Sequence, residues 1–150
     1  MIGLYSSDFP IEILDKLNKN VRFWGYLDKG NLEHRRIYYD ILSNASIYVN
    51  TSAGWVGYTS MIEAMAFYTP VIVYPCVEFI DEFGSCIDFG LYSDTDSPIL
   101  LAKHIREIWS SDNYCQMAQN AHNRVEDYTW PNFVDRLLEI TIGTIKSAEV

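Results

Sequence analysis

The chain has 150 residues, 49% of them hydrophobic, which fits one globular domain with a sizeable core. Its 11 Lys and Arg stand against 20 Asp and Glu, and a formal net charge of −9 disfavours binding nucleic acid or an anionic membrane through a basic patch. From Ile37 to Ala102 there is no Lys, Arg or His, so an anion bound by this stretch would rely on backbone donors.

Several other classes of protein are excluded by residue type and hydropathy. Three cysteines without a C-x-x-C pair and three separated histidines predict neither a disulfide framework nor a metal site. The acidic run Glu78, Asp81 and Glu82 is typical of a solvated helical face. No basic leader precedes an apolar stretch at the N-terminus, and Pro70 and Pro75 interrupt the most apolar window. We expect a cytoplasmic protein with no membrane segment.

The first third of the chain alternates between strand and helix patterns. Periodicity and capping residues predict, in chain order, a short apolar run at 1–5, a helix from Pro10 to about 18–20, a strand at 21–25 (VRFWG), a helix at 31–44 and a strand at 46–50 (SIYVN).

The same pattern continues to the C-terminus. It predicts a helix at 58–67, a strand at 71–74 (VIVY), a helical turn at 79–83, a weak strand at 86–91 and helices at 98–110, 112–127 and 131–145. Strands separated by helices imply right-handed crossovers, so we expect an α/β fold with a doubly wound, Rossmann-like parallel sheet. VRFWG, SIYVN and VIVY are its expected central neighbours.

The loop after SIYVN is the candidate site. In doubly wound sheets, ligands bind beyond the carboxyl ends of strands, commonly at a helix N-terminus. Small residues such as Ser52 and Gly54 would let a phosphate approach the backbone N–H groups that open the 58–67 helix. Glu63 lies a turn or more into that helix, where its carboxylate could accept hydrogen bonds from a vicinal diol such as a ribose. On these features alone, a solvated glutamate and an ordinary turn are the favoured alternative.

Four stretches of the chain resemble, in order and spacing, landmarks of the C-terminal domain of the family 4 retaining glycosyltransferases with the GT-B fold. They are V-R-F-W-G at 21–25, A-S-I-Y-V-N-T-S at 45–52, E-A-M-A-F-Y-T-P-V-I at 63–72 and Y-T-W at 128–130. The similarity spans nearly the whole chain. It implies a domain that binds a nucleotide-sugar donor, with the donor ribose on Glu63, and no further cofactor.

The resemblance also implies an incomplete enzyme. The candidate donor-binding residues are Glu63, Ser52, Gly54, Trp55, Gly57, Tyr58, Thr59, Tyr26 and Glu78, and no catalytic residue is assigned. MIGLYSSDFP resembles the second strand unit of the family's domain. We therefore expect one donor-binding domain, residues 1–150, that lacks its first βα unit and the N-terminal acceptor domain.

Three positions depart from the family's pattern. Trp55 stands where a second Glu contacts the donor sugar, Tyr68 stands where a glycine precedes T-P-V-I, and Gly57 is one place from the usual loop glycine. Two alternatives stay open. One is a GT-B-fold sugar-nucleotide epimerase, and the other is a non-catalytic nucleotide-binding or interaction module, for which Trp55 is the main sequence argument.

Overall fold

The structure is a computed structural model that describes residues 2–17, 20–53, 58–95 and 97–148, with side chains described as far as residue 142. The chain divides into two compact units, residues 1–44 and 45–150.

The first unit contains two helices and one short turn among its described residues. They are a 3₁₀ turn at Ser6–Asp8, α1 at Ile11–Leu14 and α2 at Leu32–Ser43. The side chain of Asn31 caps α2, because its Oδ1 accepts hydrogen bonds from the N–H groups of Glu33 at 2.9 Å and His34 at 3.2 Å. On its inner face α2 buries Tyr38 and Leu42. The predicted helix at 31–44 is therefore confirmed.

The strand predicted at VRFWG is wrong, since residues 21–25 join no strand in the described part of the chain. The backbone of Gly25 does pair with Gly3 and Leu4, through hydrogen bonds of 2.7 and 3.0 Å. Both glycines have positive φ, however, at 61° for Gly25 and 82° for Gly3. This conformation leaves the extended region of the backbone, so the pairing stops after two bonds. At Gly25 an added Cβ would overlap the ring of Tyr5.

The helix predicted after Pro10 is shorter than expected. It ends at Leu14 and continues as turns to residue 17, whereas its predicted end at 18–20 includes Asn18 and Lys19, which lie outside the described residues. No residue of α1 is buried, and Ile11 is 73% exposed. A helix this short is marginal without a packed face, which explains its early end.

The second unit contains a small open parallel sheet. Its strands are β1 at Tyr48–Asn50, β2 at Val71–Val73 and β3 at Gly90–Tyr92, in the order β1-β2-β3. Tyr48 pairs with Val71 in β2, and Val71 pairs with Gly90 in β3. The prediction that SIYVN and VIVY form parallel neighbours is confirmed.

The described sheet is not doubly wound, and the prediction of half a GT-B fold is wrong. VRFWG supplies no strand, so three strands remain, in an α/β arrangement that is compatible with a Rossmann-like fold. The weak strand predicted at 86–91 begins only at Gly90. There the chain passes so close to β2 that an added Cβ would overlap the carbonyl oxygen of Val71, and glycine is required.

Five helices complete the described part of the second unit. They are α3 at Tyr58–Ala66, α4 at Val77–Phe83, α5 at Pro98–Trp109, α6 at Tyr114–Val125 and α7 at Trp130–Ala148. The corresponding predictions are confirmed, with small shifts at the helix ends. Ser97 and Thr129 act as the predicted caps, since their hydroxyl oxygens accept hydrogen bonds from the N–H groups of Leu100 and Asn132.

The core of the second unit lies around β2, whose three residues are all buried. Side chains from α3, α4 and α6 pack against it, and the buried cluster consists of Met61, Met65, Val71, Val73, Phe79, Phe83, Phe89, Ala121 and Val125. Continuous burial of a central strand is typical of a parallel sheet covered by helices.

In contrast to the core helices, α7 exposes its apolar side chains. They are Trp130, Phe133, Val134, Leu137, Leu138, Ile140 and Ile142, and the exposed fraction is 80% for Trp130. Within the described ranges, no helix is long and apolar enough to cross a membrane.

Candidate functional site

The candidate site begins where β1 ends. Asn50 is the last residue of that strand, and its side-chain oxygen accepts a hydrogen bond of 3.1 Å from the N–H of Ser52. This contact turns the chain away from the sheet, as Asn side chains commonly do at strand ends. Ser52 is exposed. The loop residues Gly54, Trp55 and Gly57 lie outside the described part of the chain.

The loop ends at the first turn of α3, which is tied to β1. The hydroxyl groups of Tyr48 in β1 and Ser60 in α3 lie 2.8 Å apart and form a hydrogen bond. Thr59, on the same turn, is exposed. Because both β1 and α3 are held by this bond, the two ends of the loop occupy defined positions.

Tyr58, the first residue of α3, packs on α4. Its ring lies edge-on to Phe79, with the ring centres 6.0 Å apart, and at 6.2 Å from Phe83. Burial raises the pKa of the Tyr58 hydroxyl, the nearby carboxylate of Glu82 raises it further, and a hydrogen bond with Tyr128 opposes the rise. The phenol of Tyr58 is therefore neutral at ordinary pH.

Tyr128 and Glu82 form a polar pair beside Tyr58. The hydroxyl of Tyr128 donates a hydrogen bond to Glu82 Oε1, and the Tyr128 ring stacks on Phe83 with the ring centres 6.3 Å apart. Burial, and then the bond to Glu82, raise the pKa of Tyr128 well above its usual value. The sequence predicts a solvated helical face for Glu82 and no role for Tyr128. The Y-T-W landmark is the only signal in the sequence for Tyr128. Nothing in the local sequence connects it with Glu82, because the two residues are 46 positions apart.

Glu63 occupies a half-buried position in the sixth place of α3. With a rise of 1.5 Å per residue, it lies about 7.5 Å further along the helix axis than Tyr58. Its neighbours Met61, Ala64 and Met65 belong to the buried face of the same helix. A carboxylate at this boundary can reach solvent while its helix is fixed by the core.

The remaining predicted site residues lie further away along the chain. Glu78 is exposed in the first turn of α4, the helix that follows β2 as α3 follows β1. Because β1 and β2 are parallel, their carboxyl ends share one edge of the sheet, and α3 and α4 both begin beyond it. Tyr26 is 70% exposed and belongs to the first unit. Among the described residues, no three His, Cys, Asp or Glu side chains form a group that could hold a metal ion.

Tyr68, where the family's pattern has glycine, adopts the backbone conformation that favours glycine. Its φ is 60°, the only positive value among the described non-glycine residues. Its ring stacks on His122 with centres 4.0 Å apart, and His122 Nδ1 bonds the carbonyl oxygen of Ala66 at 2.9 Å. Contacts from α6 thus hold a tyrosine in a conformation that is costly for most residues.

Comparisons with known proteins identify no family for the chain, since no protein-family model and no curated protein matches it. The resemblance to glycosyltransferases therefore stays a prediction that rests on the four quoted stretches. The described residues define a coarser class, an α/β protein with a small open parallel sheet and helices that begin beyond its carboxyl edge.

Proposed function

We propose that this chain is the donor-binding domain of a nucleotide-sugar-dependent glycosyltransferase, which transfers a sugar with retention when joined to an acceptor-binding domain. The observation that carries the proposal is the position of Glu63. It is a half-buried carboxylate on a helix that begins at the carboxyl edge of a parallel sheet, and it opens the E-A-M-A stretch that precedes P-V-I.

Two parts of the donor, the diphosphate and the ribose, have a place in this proposal. The diphosphate binds the backbone N–H groups at the start of α3, where the helix dipole contributes about 0.3–1 kcal/mol. The ribose hydroxyls donate to the carboxylate of Glu63, and hydrogen bonds to a charged acceptor are the stronger kind. Glu78, beyond the same sheet edge, lies near the donor. Catalysis then consists largely of positioning the donor and stabilising the leaving diphosphate.

Weak binding by this chain alone is part of the proposal. The stretch from Ile37 to Ala102 contains no cationic side chain that could neutralise a diphosphate, and the whole chain is strongly acidic. We expect dissociation constants for UDP, GDP and ADP that are weaker than micromolar in calorimetric titrations. Submicromolar binding would show that the phosphate site lies elsewhere.

Substitution of Glu63 tests the proposal directly. Glu63→Gln keeps the shape and the helix propensity of the side chain but removes the charge, so nucleotide binding should weaken by about 1.5–3 kcal/mol while the fold is retained. Glu107→Gln is the matched control, because Glu107 is an exposed residue on α5. Unchanged affinity in a folded Glu63→Gln variant would remove the ribose role, and loss of folding would make Glu63 structural.

A non-catalytic interaction module is the second candidate, and the exposed apolar side chains of α7 favour it. Soluble monomers rarely expose large contiguous apolar patches unless a partner covers them. Trp130 and Phe133 are 80% and 56% exposed, and Leu137 and Leu138 follow one turn further along the helix. An interaction module predicts that neither the wild-type chain nor any variant binds UDP, GDP or ADP in the same titrations.

A further inference from the structure

The first turn of α3 is held from two sides. On the sheet side, the Tyr48 hydroxyl bonds the hydroxyl of Ser60 at 2.8 Å. On the other side, the Tyr58 ring packs on Phe83 of α4, with the ring centres 6.2 Å apart. A hydrogen bond from the Tyr128 hydroxyl to the carboxylate of Glu82 ties residue 128 to the same helix.

Ring packing connects Tyr128 to Tyr58. The rings of Tyr58 and Tyr128 both lie against Phe83, a residue that is only 3% exposed. Phe83 also packs on Phe79 and Phe89 in the core of the second unit. Tyr128 is 39% exposed, so its position depends on the ring contact and on the bond to Glu82 together.

We propose that Tyr128 and Glu82 are positioning residues for the nucleotide donor. Their hydrogen bond holds the Tyr128 ring on Phe83, the ring against which Tyr58 also packs, and thereby fixes the orientation of the first turn of α3, from which the backbone N–H groups and Glu63 bind the ligand. This inference rests on the proposed function. Neither residue contacts the donor. Their contribution is preorganisation, because a helix start that is already fixed loses less freedom when the ligand binds.

Removal of one hydroxyl group tests this role with a close control. Tyr128→Phe keeps the ring on Phe83 but breaks the bond to Glu82, and UDP binding should weaken about three- to tenfold. Tyr114→Phe is the control, since the Tyr114 hydroxyl also donates a hydrogen bond, of 2.8 Å, to the carbonyl oxygen of Ser46, which precedes β1 by two residues. Both variants should lose similar stability, and only Tyr128→Phe should lose affinity.

Two further readouts separate positioning from a general loss of stability. Amide hydrogen exchange at Ile62 and Glu63, whose helical hydrogen bonds reach back to the first turn of α3, should be faster in Tyr128→Phe without ligand and unchanged in Tyr114→Phe. Glu82→Gln keeps an acceptor and should retain most of the affinity, whereas Glu82→Ala should match Tyr128→Phe. The double variant of Tyr128→Phe and Glu82→Ala should be no weaker than either single variant, because all three remove the same bond.

The outcomes distinguish the inference from the function on which it rests. If wild type binds UDP and Tyr128→Phe behaves like Tyr114→Phe in affinity and exchange, the positioning role is wrong while the proposed function stands. Additive losses in the double variant would also overturn it. If wild type binds none of UDP, GDP and ADP at millimolar concentration, the proposed function fails and the positioning role fails with it.

Discussion

The two units contain similar proportions of aromatic and aliphatic residues but bury them differently. The second unit buries a contiguous cluster around β2, with Phe89 and Met65 at 1% and 0% exposure. In the first unit, the buried hydrophobic residues among those described are Leu27, Tyr38 and Leu42. A strand that pairs on both sides can anchor a core, and a segment whose pairing ends at two glycines cannot.

The two units also differ in net charge. Residues 1–44 contain six Lys and Arg against six Asp and Glu, whereas residues 45–150 contain five against fourteen. The whole net charge of −9 therefore belongs to the unit that carries the candidate site. A diphosphate site in that unit has to bind through backbone groups, and the core around β2 is what holds those groups in place.

The largest expected contrast comes from truncating one phenylalanine in each unit. Phe89→Ala leaves a cavity beside Phe83, whose ring centre is 5.4 Å away, and should lower the free energy of unfolding by about 3–5 kcal/mol. Phe9→Ala in the first unit removes a half-buried ring that contacts Phe23 at 5.2 Å, and should cost clearly less. Urea denaturation measures both. Equal losses would contradict the placement of the main core in the second unit.

A second contrast uses one glycine from each unit. Gly90→Ala places a Cβ against the backbone of β2, which cannot move without breaking the sheet, so we expect a loss of about 1–3 kcal/mol. Gly30→Ala meets only the side chain of Asp28, whose Oδ1 would lie 3.1 Å from the new Cβ and needs to shift by only a few tenths of an ångström while it accepts a hydrogen bond from the N–H of residue 30. That variant should change the denaturation midpoint little. A silent Gly90→Ala would mean that β3 does not pair closely with β2.

A smaller effect is expected in alkaline solution and involves a phenol of the second unit. Burial, with the thiolates of Cys76 and Cys86 adding, raises the pKa of Tyr92 from 10.0 to about 12. The unfolded chain then releases this proton more readily than the folded chain. The stabilisation that results from the raised pKa of Tyr92 is fully present below pH 10 and is lost as the pH rises from 10 through 12. Tyr92→Phe should flatten the fall in unfolding free energy over that range, and an unchanged slope would contradict the shift.

The smallest expected effect concerns Tyr68, where two terms oppose each other. Tyr68→Gly removes the strain of a side chain at positive φ, which costs about 1–2 kcal/mol. It also loses the stack on His122, which stabilises by about 0.5–1.5 kcal/mol. The free energy of unfolding should therefore change by no more than about 1 kcal/mol. Tyr68→Ala keeps the strain and loses the stack. Because Tyr68→Gly loses the same stack but relieves the strain, Tyr68→Ala should be the less stable variant in thermal denaturation, and the opposite order would show that the positive φ costs nothing at this position.

Sequence patterns predicted the second unit better than the first, for physical reasons. SIYVN and VIVY are each followed by a helix that covers the sheet, so apolar runs and capping residues suffice to predict them. VRFWG is also largely apolar, yet its pairing depends on the positive φ of Gly3 and Gly25, which no pattern of side chains reveals. Strand formation needs a partner, and the partner is not encoded locally.

The residues of the candidate site were also only partly predictable from the sequence. Glu63 was found from the sequence because a lone carboxylate in an apolar stretch is conspicuous, and its helix is confirmed. Tyr128 and Glu82 were missed because their significance lies in a long-range contact. Single-sequence reasoning interpreted Glu82 correctly as an exposed residue on a helix, but it could not detect the phenol that bonds it.

One measurement tests the central claim, that Glu63 binds a ribose diol, most directly. UDP and its 2′-deoxy analogue are each titrated into the wild-type chain and into the folded Glu63→Gln variant, with Glu107→Gln as the control. The account predicts that wild type and the control prefer UDP over the deoxy analogue by about tenfold, which corresponds to one charge-assisted hydrogen bond, and that Glu63→Gln loses most of this preference. The same preference in all three proteins would contradict a ribose contact at Glu63.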